Sequence, residues 1–147
     1  MFLFVIWQHQ GSVTVADDTS VNAIQLYCTN NTVAVGSITS GVGPKGSWKN
    51  IKSCPQENDV IISFRVKVDE YKSLSDDVGV SGLEVKCGAN LSPDDPRTNV
   101  RHAPGDWGDW GPWSNSCPTQ YGVCGLKTRT QTKSGLNNLY MYCCEFP

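Results

Sequence analysis

Gly105-Asp106-Trp107-Gly108-Asp109-Trp110-Gly111-Pro112-Trp113 leads through Cys117-Pro118 and Cys124-Gly125-Leu126-Lys127-Thr128-Arg129-Thr130 to Leu136-Asn137-Asn138-Leu139-Tyr140-Met141-Tyr142-Cys143-Cys144. A Gly/Trp segment, a Cys-Pro step and two strand-like runs follow one another. The same succession stands upstream: Gly46-Ser47-Trp48, then Cys54-Pro55, then Ile62–Val68, then Val80–Cys87. A third copy shows its second half only, from Asp17-Asp18-Thr19 to Cys28. Val21, Val80 and Leu136 each stand seven residues before Cys28, Cys87 and Cys143. These three closing cysteines are therefore equivalent, and recurrence at so long a period marks a repeat architecture.

The local pattern has period two. Ile62, Phe64, Val66 and Val68 alternate with Ser63, Arg65, Lys67 and Asp69. Leu83, Val85 and Cys87 do the same, as do Ile24, Leu26 and Cys28, and Leu139, Met141 and Cys143. Alternation of this kind belongs to half-buried antiparallel strands. Helical periodicity is not evident, and Gly, Pro, Asn and Asp clusters separate the runs as turns. The expected fold is all-β. Three similar antiparallel sheets, each with one apolar face, can bury those faces against one another around a pseudo-threefold axis.

The 147 residues form one expected domain, large enough to bury a core. Its predicted repeats cover 1–32, in part, then 33–91 and 92–147. A net charge of −2 gives no basic footprint for nucleic acid. No stretch has transmembrane length. Met1-Phe2-Leu3-Phe4-Val5-Ile6-Trp7 is apolar but has no basic leader and no small-residue cleavage site, so it reads as a strand rather than a signal peptide. Seven cysteines without Cys-x-x-Cys metal spacing read as disulfides of an oxidising compartment. His9 and His102 share no motif with them, so neither a metal nor a cofactor is expected. Asn30-Asn31-Thr32 and Asn90-Leu91-Ser92 have the form of glycosylation acceptors at Asn30 and Asn90. Together these features favour secretion.

Ser37-Ile38-Thr39-Ser40-Gly41-Val42-Gly43-Pro44-Lys45-Gly46-Ser47-Trp48, the Asp17-Asp18-Thr19 run and the ending Cys124-Gly125…Cys143-Cys144 resemble the vitelline membrane outer layer protein 1 family. The resemblance covers about residues 17–146. It implies a secreted β-prism of three Greek-key sheets, first described in the outer coat of eggs. By that pattern repeat one should open with its own Gly/Trp segment and Cys-Pro, whereas the residues before Asp17 hold no cysteine. The first sheet is therefore expected to be incomplete. With each closing cysteine bonded to the Cys-Pro of the next repeat, the bridges would be Cys28–Cys54 and Cys87–Cys117. Cys124 would pair with Cys144, and Cys143 would be left free.

Two groups of residues are candidates for chemistry. The first is the aromatic cluster Trp48, Trp107, Trp110 and Trp113. Trp48 and Trp113 are expected to pack into the core, as Trp usually does. Trp107 and Trp110, in glycine-flanked loops, can lie exposed and stack on sugar rings while Asp106 and Asp109 accept hydroxyl protons. The second group is Asp17-Asp18 and Asp76-Asp77, which take equivalent places in two repeats. Aspartate there serves a turn by bonding its own backbone. The alternative is that Asp18 and Asp77 meet near the axis, roughly 5–10 Å apart, as acid and base on a glycosidic bond. Arg65, Lys67, Lys127, Arg129 and Lys133 stud the outward strand faces, either as solvated charge that blunts edge pairing or as contacts for acidic glycans.

The function expected from these residues is that of a secreted coat or matrix protein that binds extracellular glycans or matrix glycoproteins. Two rivals are a carbohydrate-active enzyme transferring or cleaving N-acetylglucosamine oligomers, and a purely structural layer component. Fold alone does not choose among them.

Overall fold

A computed structural model describes residues 2–8, 21–30, 33–43, 46–56, 59–69, 79–88, 99–103, 108–131 and 135–145. The described residues contain no helix and are mostly strand, in antiparallel sheets, as the alternation predicted. This architecture suits the expected β-prism.

The first sheet is built on a hairpin of β1 (Phe2–Gln8) and β2 (Val21–Asn30). β3 (Val33–Thr39) flanks β2, and the short β4 (Ser47–Trp48) and β5 (Lys52–Ser53) both pair with β1. The apolar N-terminal run is thus a strand. The second sheet is built on β6 (Val60–Asp69) and β7 (Gly79–Gly88), with β8 (Asn99–Ala103) beside β7 and β9 (Asp109–Trp110) beside β6. The third comprises β10 (Tyr121–Gln131) and β11 (Gly135–Glu145). The expectation of an incomplete first sheet is corrected here. That sheet has five strands, whereas the third has two among the described residues.

The reason lies in where each Gly/Trp segment goes. β4 and β5 precede Cys54 in sequence, yet they lie on β1 of the hairpin before. β9 precedes Cys117, yet it lies on β6. Each Gly/Trp segment therefore completes the sheet behind it, and each Cys-Pro stands where the chain crosses to the next sheet.

The three hairpins share a register. Phe2 faces Cys28, Ile61 faces Cys87, and Val123 faces Cys143. Near the closed end of each hairpin a bulge follows Trp7, Lys67 and Arg129, and the next residue faces Val21, Val80 or Leu136. Those three apolar residues are buried in one cluster with Ile24, Leu83 and Leu139, so all three sheets feed a common core. Burial of each such side chain is worth about 1.5–3 kcal/mol.

Two of the three disulfides differ from the expected wiring. Cys54 is bonded to Cys87 and Cys117 to Cys143, each with Cα atoms 5.6 Å apart, and Cys124 is bonded to Cys144. The free thiol is Cys28, not Cys143. Cys87 faces Ile61 at the open end of the β6–β7 hairpin, and the chain enters that hairpin from Cys54, so the two are neighbours across its mouth. Cys143 and Cys117 stand in the same relation to β10–β11. Cys28 holds the corresponding place on the first hairpin, and no cysteine precedes that hairpin in this sequence.

Candidate functional site

β6 carries the site. Its apolar residues Phe64 and Val66 pack inward, which turns Arg65 and Lys67 to the outer side. The chain after β9 then runs along the free edge of β6. Gly111 N donates to the Val66 carbonyl at 2.9 Å, Ser114 N to that of Phe64 at 2.7 Å, and Cys117 N to that of Ile62 at 2.8 Å. Phe64 N in turn donates to Ser114 Oγ at 3.1 Å. Three residues of the edge segment thus match two of the strand. Trp110 and Trp113, three residues apart, consequently both reach Arg65.

The Arg65 guanidinium carbon lies 5.1 Å from the Trp110 ring centre and 4.9 Å from that of Trp113. Lys86 Nζ, from the neighbouring strand, lies 4.6 Å from the Trp113 ring. Arg65 Nε also donates to the carboxylate of Glu84, its cross-strand partner. An indole face attracts a cation by about 0.5–2 kcal/mol, more as water is excluded. The group is a closed electrostatic unit: two cations, two indoles and one carboxylate on the outside of the second sheet.

Trp110 is half-buried, and Asp109 beside it is exposed, facing Val68. The expected core role of Trp48 and Trp113 is corrected. Trp48 is 37 % exposed, and Trp113 is half-buried beneath two cations. The counterpart of Trp48 in the second sheet is Trp110. Trp48 faces Trp7 in the way that Trp110 faces Lys67, each just before its strand's bulge. Asp106 and Trp107 lie outside the described residues, as do Asp17, Asp18, Asp76, Asp77, Asn90 and Lys133. Asn30 ends β2, opposite Val33. Sequence reasoning singled out Arg65 and Trp110 separately but not their union. The available signal was the three-residue spacing of Trp110 and Trp113 beside a strand with outward cations.

A second feature adjoins this one. An open cleft of about 240 Å³ lies between β6, the edge segment and β11, with Phe64, Asn115, Tyr140 and Met141 among its walls. Among the described residues, no group of three or more His, Cys, Asp or Glu is placed to hold a metal ion, and no helix is long and apolar enough to cross a membrane.

Disulfide-bridged antiparallel sheets around one core, with indoles and cations outside, define the class: a cross-linked all-β protein. Comparison with known proteins narrows this. The family described as Vitelline membrane outer layer protein I matches residues 5–146, and the chain belongs to that family. A mouse relative, "Vitelline membrane outer layer protein 1 homolog", is 34 % identical over 136 residues. The match takes in 87 % of this chain and 63 % of the relative, so the chain spans less than two thirds of that protein's length.

Proposed function

We propose that this is a secreted protein of an extracellular coat or matrix, a single domain over 1–147, that works by binding glycan or matrix glycoprotein without catalysing a reaction. Membership of the vitelline membrane outer layer family carries the reading. Three disulfides support an oxidising, extracellular setting. Support for the binding mode comes from aromatic side chains on the outside of the sheets, Trp48 and Trp110 among them, since amphipathic rings at a surface suit ligands with an apolar face and polar groups.

The test is a titration of tryptophan fluorescence with N-acetylglucosamine oligomers, with product analysis of the same mixture. A saturable shift without new products is the expected result. Oligomers of new length would replace this reading with the carbohydrate-active enzyme, acting through Asp18 and Asp77. Neither a shift nor retention on coat glycoproteins would leave a purely structural layer component.

A further inference from the structure

Lys127 occupies the same register position in the third sheet as Arg65 does in the second: each lies four residues after the residue that faces the closing cysteine. Their surroundings are opposite. Arg65 faces Glu84, bonds it, and is covered by two indoles. Lys127 faces Tyr140, and Arg129 faces Asn138. Both cations are exposed. Among the described residues no carboxylate pairs with either. Glu145 is the sole acidic residue of these two strands, and it stands at the far end, opposite Tyr121.

Two tyrosines share this outer face with the cations. Tyr140 is 55 % exposed and Tyr142 53 %. Tyr142 faces Gly125, and its ring lies close over that position: a Cβ there would be in ordinary van der Waals contact, 3.5 Å from Tyr142 Cδ2. Asn138 Nδ2 donates to the Tyr140 hydroxyl at 3.1 Å and so fixes that ring's polar end. The inner side of the same strands, Leu126, Leu139 and Met141, packs on the core. The face is thus built on a rigid support.

We propose that this outer face of β10 and β11 binds a sulfated oligosaccharide. The proposal rests on the glycan-binding reading above and names its ligand class and place. Exposed phenol rings offer stacking surfaces for the C–H faces of sugars. Lys127 and Arg129, two residues apart along a strand, stand about 7 Å from each other. Negative charge on successive sugars matches that pair, and a sulfated chain carries it. The protein's overall negative charge does not oppose this, because fields at physiological salt fade within about 8 Å.

The experiment measures binding of a heparin-derived octasaccharide by calorimetry, beside an octasaccharide of hyaluronan, which has carboxylates but no sulfate, and neutral chitotetraose. Lys127→Ala/Arg129→Ala and Tyr140→Ala/Tyr142→Ala should each weaken the heparin fragment at least about tenfold, a loss of about 1.4 kcal/mol. Raising salt from about 0.15 M to about 0.5 M should weaken it too. All four residues are exposed, so thermal unfolding of both variants should match the parent, which separates lost binding from lost folding. Unchanged affinity in both variants overturns the proposal. Equal affinity for hyaluronan overturns the sulfate assignment. Chitotetraose binding with no heparin binding overturns the proposal while the broader glycan reading stands. Failure of all three ligands removes both.

Discussion

Arg65 and Glu84 face each other across β6 and β7, and the guanidinium that bonds the carboxylate also lies over Trp110 and Trp113. One side chain thereby joins two strands to the segment that edges them. Glu84 is nearly buried, at 12 %, and Arg65 is 29 % exposed. A charge-assisted hydrogen bond in that setting contributes about 1.5–3 kcal/mol. Glu84→Ala should lower stability by about 1–3 kcal/mol, read from urea unfolding. It should also red-shift tryptophan emission as the indoles loosen. An unshifted spectrum would mean that Arg65 holds its place without Glu84.

Gly108 precedes β9 with φ of 85°, a left-handed conformation that L side chains rarely adopt. A Cβ there would also collide with the Val68 carbonyl. Gly108→Ala should therefore detach β9 from β6 at a cost of about 1–3 kcal/mol. Faster amide exchange at Trp110 and Gly111, with little change in β10 and β11, would verify it.

Leu83 is fully buried where the three sheets meet. Leu83→Ala should cost about 2–5 kcal/mol through lost contacts and the cavity left behind. Thermal unfolding measures this directly, and a loss below about 1 kcal/mol would contradict the packing described.

Alkylation under non-reducing denaturation should label one thiol per chain, and peptide mapping should place it on Cys28. Cys54→Ser should cost about 2–5 kcal/mol and expose a second label on Cys87. A label on Cys143 in the parent protein would refute this wiring.

Strand content was legible because alternation encodes burial directly. Phe64, Val66, Leu126 and Met141 all face the core as their spacing demands. It failed where bulges reset parity. Val68 belongs to the apolar phase of β6, yet it follows the Lys67 bulge and is exposed. The disulfides Cys54–Cys87 and Cys117–Cys143 were not legible. Spacing alone admits Cys28–Cys54 as readily as Cys54–Cys87, and only the position of each cysteine at a hairpin mouth decides between them. Glycine-flanked tryptophans marked the right neighbourhood. Their capture by a strand three strands earlier in the chain, β1 for Trp48 and β6 for Trp110, is a long-range pairing, and no local pattern announces it.

The crossings from sheet to sheet bear on how the molecule would yield under load. Tension on the segment before Cys54 can peel β4 and β5 from β1 one hydrogen bond at a time. It cannot run on into the second hairpin, because the sulfur bond to Cys87 takes the strain before β6 parts from β7. Cys117 and Cys143 set the same stop ahead of the third. Rupture is thereby confined to sections, with short lengths of chain released and recovered while the hairpins stay shut.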